Sequence, residues 1–288
     1  MKIDSLLLLL ILNILILIYI ILRIYKDFFY KKKIKYNIPN IIHFVFGLKE
    51  QTEEFLFPYY LSVLSASKVN DPDKIYFYYH YEPYGYWWER LKNIKKIVFE
   101  RVELPTHIGN KIIKKTAHRA DKIRMDKLYE KGGIYMDIDT ISVKPYKDLL
   151  NYNTVLGYEY KPDTICNAIM LTKSNSRFFK EWLYRYESEF NSDGWGEASI
   201  YLPASINKQY PGLAKVIPSD YFFRPYATQG EDIFVKDKEI PNNLITLHLW
   251  ETYTYKFLKE ITNYNWFKEN DKTLYSRIVR LNISEDDI

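Results

Sequence analysis

Cysteine is nearly missing from this 288-residue sequence. Cys166 stands alone, which excludes a disulfide within the chain and fits a reducing compartment. Glycosylation sequons are as scarce. Asn282-Ile283-Ser284, near the C-terminus, is the only one, so the sequence lends no support to a secretory lumen. No arginine-rich stripe and no nucleic-acid motif occurs. The net charge of +5 comes from Lys and Arg spread along the chain, with Lys31, Lys32, Lys33 and Lys35 as the one tight cluster. No nucleic-acid partner is expected.

Apolar residues and tyrosine are abundant. Hydrophobic residues make up 47% of the chain, ample for a core, and the length allows one mixed domain plus attachments. The 28 tyrosines supply aromatic faces able to stack on sugars and bases, though most must serve packing.

Fifteen of the residues in 5–22 are Leu or Ile, and Asn13 is too little to cancel that hydrophobicity. The length is near the lower limit for crossing a bilayer. No small-residue cleavage site follows, so an uncleaved single-pass anchor over 1–24 is expected rather than a signal peptide. A basic linker, 25–37, comes next. Its positive charges predict that the domain that follows, 38–288, lies in the cytosol.

Within that domain, Ile41–Phe46, Lys74–His80 and Ile97–Leu104 read as strands, separated by helices over 53–68 and 84–94. Alternating strands and helices predict a parallel sheet with crossovers, whose ligands sit past the carboxyl ends of the strands. Further strands are expected at 154–160, 166–172 and 244–250. Residues 175–190 form an amphipathic helix whose aromatic stripe is core. His43, inside an apolar strand, reads as a hydrogen-bonded core histidine. Residues 191–230 read as irregular, a mobile loop over a cleft.

The stretch 116–143 organises the rest. It reads as a helix, a Gly132-Gly133 break in which an αL residue caps the helix, and a strand. From Lys131 the residues alternate. Ile134, Met136 and Ile138 take one face, and Tyr135, Asp137 and Asp139 the other. Like charges about 4 Å apart repel by roughly 4 kcal/mol at a protein surface, so such a pair takes up a proton or holds a cation. Oxygen ligands suit Mn²⁺ or Mg²⁺. On the helix, Ala117, Asp121, Arg124 and Leu128 share one face, which leaves Asp121 and Arg124 half-buried.

The run A-x-x-A-D-x-x-R-x-x-x-L-x-x-x-G-G-I-Y-x-D-x-D, Ala117 to Asp139, resembles the DXD sugar transferases of glycosyltransferase family 32. It also resembles the core of the large glucosylating bacterial toxins. The resemblance implies a GT-A-type, Rossmann-like α/β sheet with flanking helices. It further implies metal-dependent transfer of a hexose, with retention, from a nucleotide-diphosphate sugar, UDP-linked by family weight. The acceptor would be a glycan, glycolipid or glycoprotein. Asp137, Asp139 and His248 would hold the metal. Asp121 would take sugar hydroxyls, with Arg124 orienting it, and Tyr135 would line the nucleotide pocket.

PNIIHFVF resembles the family's first strand, which puts Phe46 on the base. Trp is the usual residue there, and a core Phe at a strand end is the alternative. Asn167 stands where the family places Asn beside the donor sugar; a turn-capping Asn is the alternative. His248-x-Trp250 resembles the family's C-terminal signature, near metal and leaving group, against a buried strand with a hydrogen-bonded His. The family's Gly-Pro pair is absent, Leu202-Pro203-Ala204 being the nearest match. Trp87, Trp88 and Trp195 are sugar-stacking candidates or scaffold. Golgi members of the family place the domain in the lumen, against the charge rule.

Two rivals use the same residues. D-x-D-x-T at 137–140 fits haloacid-dehalogenase-like phosphohydrolases, with Asp137 as nucleophile and Asp139 as general acid. That class needs a downstream acidic pair, for which Gly230-Glu231-Asp232 is a poor match. The other rival is an inactive membrane-tethered binding module.

Overall fold

The computed structural model of the chain describes residues 2–29 and 36–288, leaving aside the side chains of 2–6, 8 and 24–29. Two compact units are present, Met1–Tyr36 and Asn37–Ile288. The first carries helix α1 (Lys2–Phe29). The lysine cluster at 31–35 lies outside the described residues. The membrane-spanning anchor expected over 1–24 is not borne out. Among the described residues no helix is long and apolar enough to cross a membrane.

The second unit is a mixed α/β domain around a seven-stranded sheet. Strands β1 (Ile41–Val45), β2 (Lys74–Tyr79) and β3 (Ile97–Arg101) pair in parallel, as the strand–helix alternation predicts. Ile42, Phe44, Ile75 and Phe77 are fully buried, the pattern of a sheet covered by crossover helices. Those helices are α2 (Phe57–Asn70) and α3 (Tyr86–Leu91). Pro58 starts α2, where a missing N–H costs nothing, and Asp71 in the αL region stops it. A short hairpin follows, β4 (His107–Ile108) with β5 (Lys111–Ile112).

Helix α4 (Thr116–Lys131) then leads to β6 (Gly133–Met136), which pairs in parallel with the other side of β1. After the short β7 (Thr140–Ser142) the chain adds β8 (Thr154–Tyr158) and β9 (Ile165–Thr172). β9 runs antiparallel to both β6 and β8. Helix α5 (Arg177–Glu189) buries its aromatic stripe, Phe178, Phe179, Trp182 and Tyr186, as expected.

Residues 191–230 are not the irregular loop that glycine and proline imply. They contain a π-helical turn at Glu197–Tyr201, helix α6 (Leu202–Gln209) and strand β10 (Lys215–Ile217), which extends the sheet beside β8. Trp182 Nε1 donates to the Ala198 carbonyl at 2.8 Å and holds the turn to α5. Pro203 sits in the first turn of α6, where proline is tolerated. Helix α7 (Gly230–Phe234) precedes β11 (Thr246–His248), which pairs antiparallel with β7. Helices α8 (Glu251–Leu258), α9 (Asn265–Glu269) and α10 (Leu274–Asn282) close the unit.

The Gly132-Gly133 pair is demanded by close approach rather than by an αL cap. Gly132 has φ 67° and ψ −178°, outside αL, and Gly133 has φ 116°. A Cβ on Gly132 would lie 2.6 Å from the Ser174 nitrogen, and one on Gly133 2.5 Å from the Ile41 carbonyl oxygen. The glycines thus let α4 turn tightly enough for β6 to lie against β1.

His43 braces that turn. Its Nε2 is 2.8 Å from the Gly132 carbonyl oxygen and its Nδ1 3.0 Å from the Tyr78 hydroxyl. The neutral ring therefore carries its proton on Nε2, donates to Gly132 and accepts from Tyr78. Burial lowers its pKa from 6.5 to about 4. The unfolded chain then binds more protons between those values, so stability falls as pH drops from 6.5 towards 4. The loss amounts to about 3 kcal/mol. Denaturant titrations at pH 7 and pH 4 should show this component in the native protein and lack it in His43→Gln.

Candidate active site

The acidic pair does not stand on a strand. β6 ends at Met136, and Asp137, Ile138 and Asp139 form a turn into β7. The alternation fails there because Thr140 Oγ1 donates to the Asp137 carbonyl at 2.8 Å, closing the turn. Both carboxylates still reach the same cleft, of about 820 Å³, at the carboxyl ends of β1 and β6.

Pairing of β11 with β7 sets His248 opposite Thr140. His248 Nε2 comes within 3.3 Å of Asp139 Oδ2. One ligand atom each from Asp137, Asp139 and His248 lies within 4.8 Å of the others. Two carboxylates and an imidazole suit Mn²⁺ or Mg²⁺, with the nitrogen favouring the former. The electrostatics fit a cation as well. Burial and the neighbouring Asp139 charge raise the Asp137 pKa, against the pull of Arg124. Burial would also raise the Asp139 pKa, but His248 and the Glu251 N–H outweigh it and lower it. For His248, burial works downward, and the Asp139 carboxylate nonetheless raises its pKa.

Asp121 and Arg124 are buried, at 5% and 7% exposure, rather than half-buried. Neighbours from three further elements enclose them. Arg124 Nη1 donates to the Asn167 carbonyl and meets Asp137 Oδ1, both at 3.0 Å. Asn167 Nδ2 donates to Asp121 Oδ1 at 2.7 Å, and the Tyr186 hydroxyl to Asp121 Oδ2 at 3.2 Å. Asn167 lies within β9 and caps no turn. The guanidinium is 4.5 Å from the Tyr135 ring centroid. Burial disfavours its charge, yet Asp137 keeps it firmly protonated.

Tyr135 is fully buried and does not line the cleft, against the expectation of a nucleotide-pocket role. Its hydroxyl donates to Asp137 Oδ1 at 2.5 Å, so it positions that carboxylate. Phe46 stands at the cleft, half-buried, 5.3 Å from the rings of Phe55 and Tyr59. Trp250 lines it too, with φ 60°, an unusual conformation for a bulky residue. Its Nε1 donates to the Pro225 carbonyl at 2.9 Å, and its ring lies 4.2 Å from His248. That turn starts α8 so that the Glu251 N–H donates to Asp139 Oδ2 at 2.6 Å.

Glu251 and Tyr59 escaped the sequence reading. The Tyr59 hydroxyl donates to Glu251 Oε1 at 2.5 Å, and burial lifts the Glu251 pKa to about 7. Among the tryptophans, Trp88 is core and Trp87 stacks on Phe57 at 4.1 Å, both scaffold. Trp195 lines the cleft and is 60% exposed.

Residues 45–156 match the family described as the glycosyltransferase sugar-binding region containing the DXD motif. Glucan organizing enzyme 1 of Cryptococcus neoformans var. grubii serotype A is 30% identical over 262 residues, covering 84% of this chain and 70% of its own. The chain belongs to the DXD glycosyltransferases. Looser likenesses exist among solved structures. PaToxG glycosyltransferase is 17% identical, covering 61% of this chain and 70% of its own, with a TM-score of 0.45. Apo GlyE of Streptococcus pneumoniae TIGR4 is 15% identical over 86% of this chain and 64% of its own, with a TM-score of 0.44. As a member of this family the chain is an enzyme, which removes both rival readings. Gly230–Asp232 opens α7, where Asp232 pairs with Lys236 at 2.8 Å.

Proposed function

We propose that this glycosyltransferase moves a hexose from a UDP-linked donor, with metal dependence and retention, to a carbohydrate acceptor. The observation that carries this reading is the convergence of Asp137, Asp139 and His248 beside the Asp121–Asn167–Arg124 tie in one cleft. The relative named as a glucan organizing enzyme supports a glycan acceptor.

A divalent cation held by Asp137, Asp139 and His248 would neutralise the charge gathering on the departing diphosphate. The protein's own groups do the rest. Phe46 offers a ring face to the base. Asp121, locked by Asn167 and Tyr186, accepts hydrogen bonds from sugar hydroxyls. Arg124 fixes Asp121 and Asp137 relative to each other, so that sugar and diphosphate are held in one geometry. Trp250 covers the His248 side and keeps water from the breaking bond.

Incubation with UDP- and GDP-sugars and Mn²⁺ should release nucleotide from a UDP-hexose, and chelation should stop the release. Proton NMR of the transferred sugar should show the anomeric configuration of the donor. Release from no nucleotide sugar, or undiminished release in EDTA, defeats the proposal.

A further inference from the structure

The order of the strands orders the cleft. Side by side in the sheet run β1, β6, β9 and β8. Along one edge they present Phe46 after β1, Asp137 after β6, Asn167 near the start of β9, and Glu159 just after β8. On the reading above, base, diphosphate and sugar occupy the first three positions in that order. Strands lie about 4.8 Å apart, so Glu159 sits one strand beyond the sugar-holding Asn167, where the donor ends.

Glu159 is also singular among the acidic side chains that line the cleft. Asp121, Asp137, Asp139 and Glu251 are each engaged by side-chain or backbone donors of the protein. Glu53 accepts from the Tyr255 hydroxyl, and Glu50 and Glu54 are exposed at the rim. Glu159 is half-buried, its backbone N–H closing the turn onto the Thr164 carbonyl at 3.0 Å. Among the described residues its carboxylate has no hydrogen-bond or ion-pair partner. A half-buried carboxylate that lines a cleft and is tied to no donor of the protein is free to take a hydrogen bond from a ligand. Burial raises its pKa, with His248 working the other way.

We propose that Glu159 is the acceptor-side catalytic residue: it takes a hydrogen bond from the attacking hydroxyl and then its proton. This role rests on the proposed transfer from a nucleotide sugar. The bond from the acceptor oxygen to the anomeric carbon forms on the face that the phosphate oxygen leaves, as the bond from that carbon to the phosphate oxygen breaks, so the donor's configuration is kept. The electron pair leaves with the nucleoside diphosphate, and the hydroxyl proton passes to the carboxylate. The acceptor is thereby a hydroxyl compound that enters from the β8 side of the cleft.

Glu159→Gln keeps the shape and removes the proton acceptor. In the full-length chain with Mn²⁺, kcat for transfer should fall by about 10²–10⁴-fold. The Kd of the nucleotide sugar, measured by calorimetry, should stay within twofold, and so should the thermal midpoint. Wild-type transfer rates in the variant overturn the role. A donor Kd raised tenfold or more also overturns it, since Glu159 would then be holding donor. A wild-type protein that binds and turns over no nucleotide sugar sinks the underlying reading instead, and this role with it. A folding defect in Glu159→Gln is answered by Glu159→Ala, whose transfer rate added formate should raise at least tenfold; no rise overturns the proposal.

Discussion

Replacing Asp139 with alanine should lower nucleotide-sugar turnover by on the order of 10³-fold or more. Asp139 is the point where three separate parts of the site meet. It offers oxygen to the cleft, accepts the Glu251 N–H at 2.6 Å and faces His248 at 3.3 Å. Alanine removes the charge that balances the imidazole and frees the first turn of α8, so both metal affinity and ligand geometry suffer. The effect is also visible without any substrate. At about a hundred times its Kd, Mn²⁺ should stabilise the native protein by about 2.7 kcal/mol. For a domain of this size that is a midpoint rise of roughly 5–10 °C. Asp139→Ala should show no such rise. Asp139→Asn keeps the acceptor oxygen for Glu251 and should fold as well as wild type while losing the metal response. An Asp139→Ala protein that still gains stability from Mn²⁺ would refute the assignment of the metal ligands.

Arg124→Ala should be the most damaging change to stability. Among the described residues its guanidinium is the one cation set between Asp121 and Asp137, at 3.6 Å and 3.0 Å, and it also holds the Asn167 carbonyl. Removing it leaves the buried Asp121 and the half-buried Asp137 without this counter-charge, a loss of about 3–5 kcal/mol. The thermal midpoint should fall by roughly 6–20 °C. Arg124→Lys restores charge but not the planar fork that spans β9 and the Asp137 turn, so it should recover stability in part and activity little. Scanning calorimetry checks the first statement and nucleotide release the second. A midpoint within 2 °C of wild type in Arg124→Ala would show that Asp121 and Asp137 do not depend on the guanidinium.

Much of the scaffold was legible because it is written in short-range patterns. The apolar runs at 41–46 and 74–80, separated by a helical stretch, predict the parallel pairing of β1 with β2, and their registers show it. Asp121, Arg124, Asp137 and Asp139 stand within a single stretch of chain, so spacing alone brings them to attention. The departures have local causes. Period-two alternation continues through Asp139 in the sequence, yet a Thr140 hydroxyl bond turns the chain at Asp137. Tyr135 sits on the face expected to meet nucleotide, but both faces of β6 are covered. Helix α6 hides behind Pro203, which reads as a breaker and serves in a first turn.

The sequence by itself determined the chemistry: two carboxylates, an arginine and a histidine in a family pattern, on a strand-and-helix frame set by periodicity. Tertiary structure alone decided which partners complete that chemistry. Tyr59 reaches Glu251 across 192 residues, Glu251 reaches Asp139 across 112, and Tyr186 reaches Asp121 across 65. Such contacts leave no periodic trace, because each depends on the order of strands in the sheet and not on the neighbours of either residue along the chain.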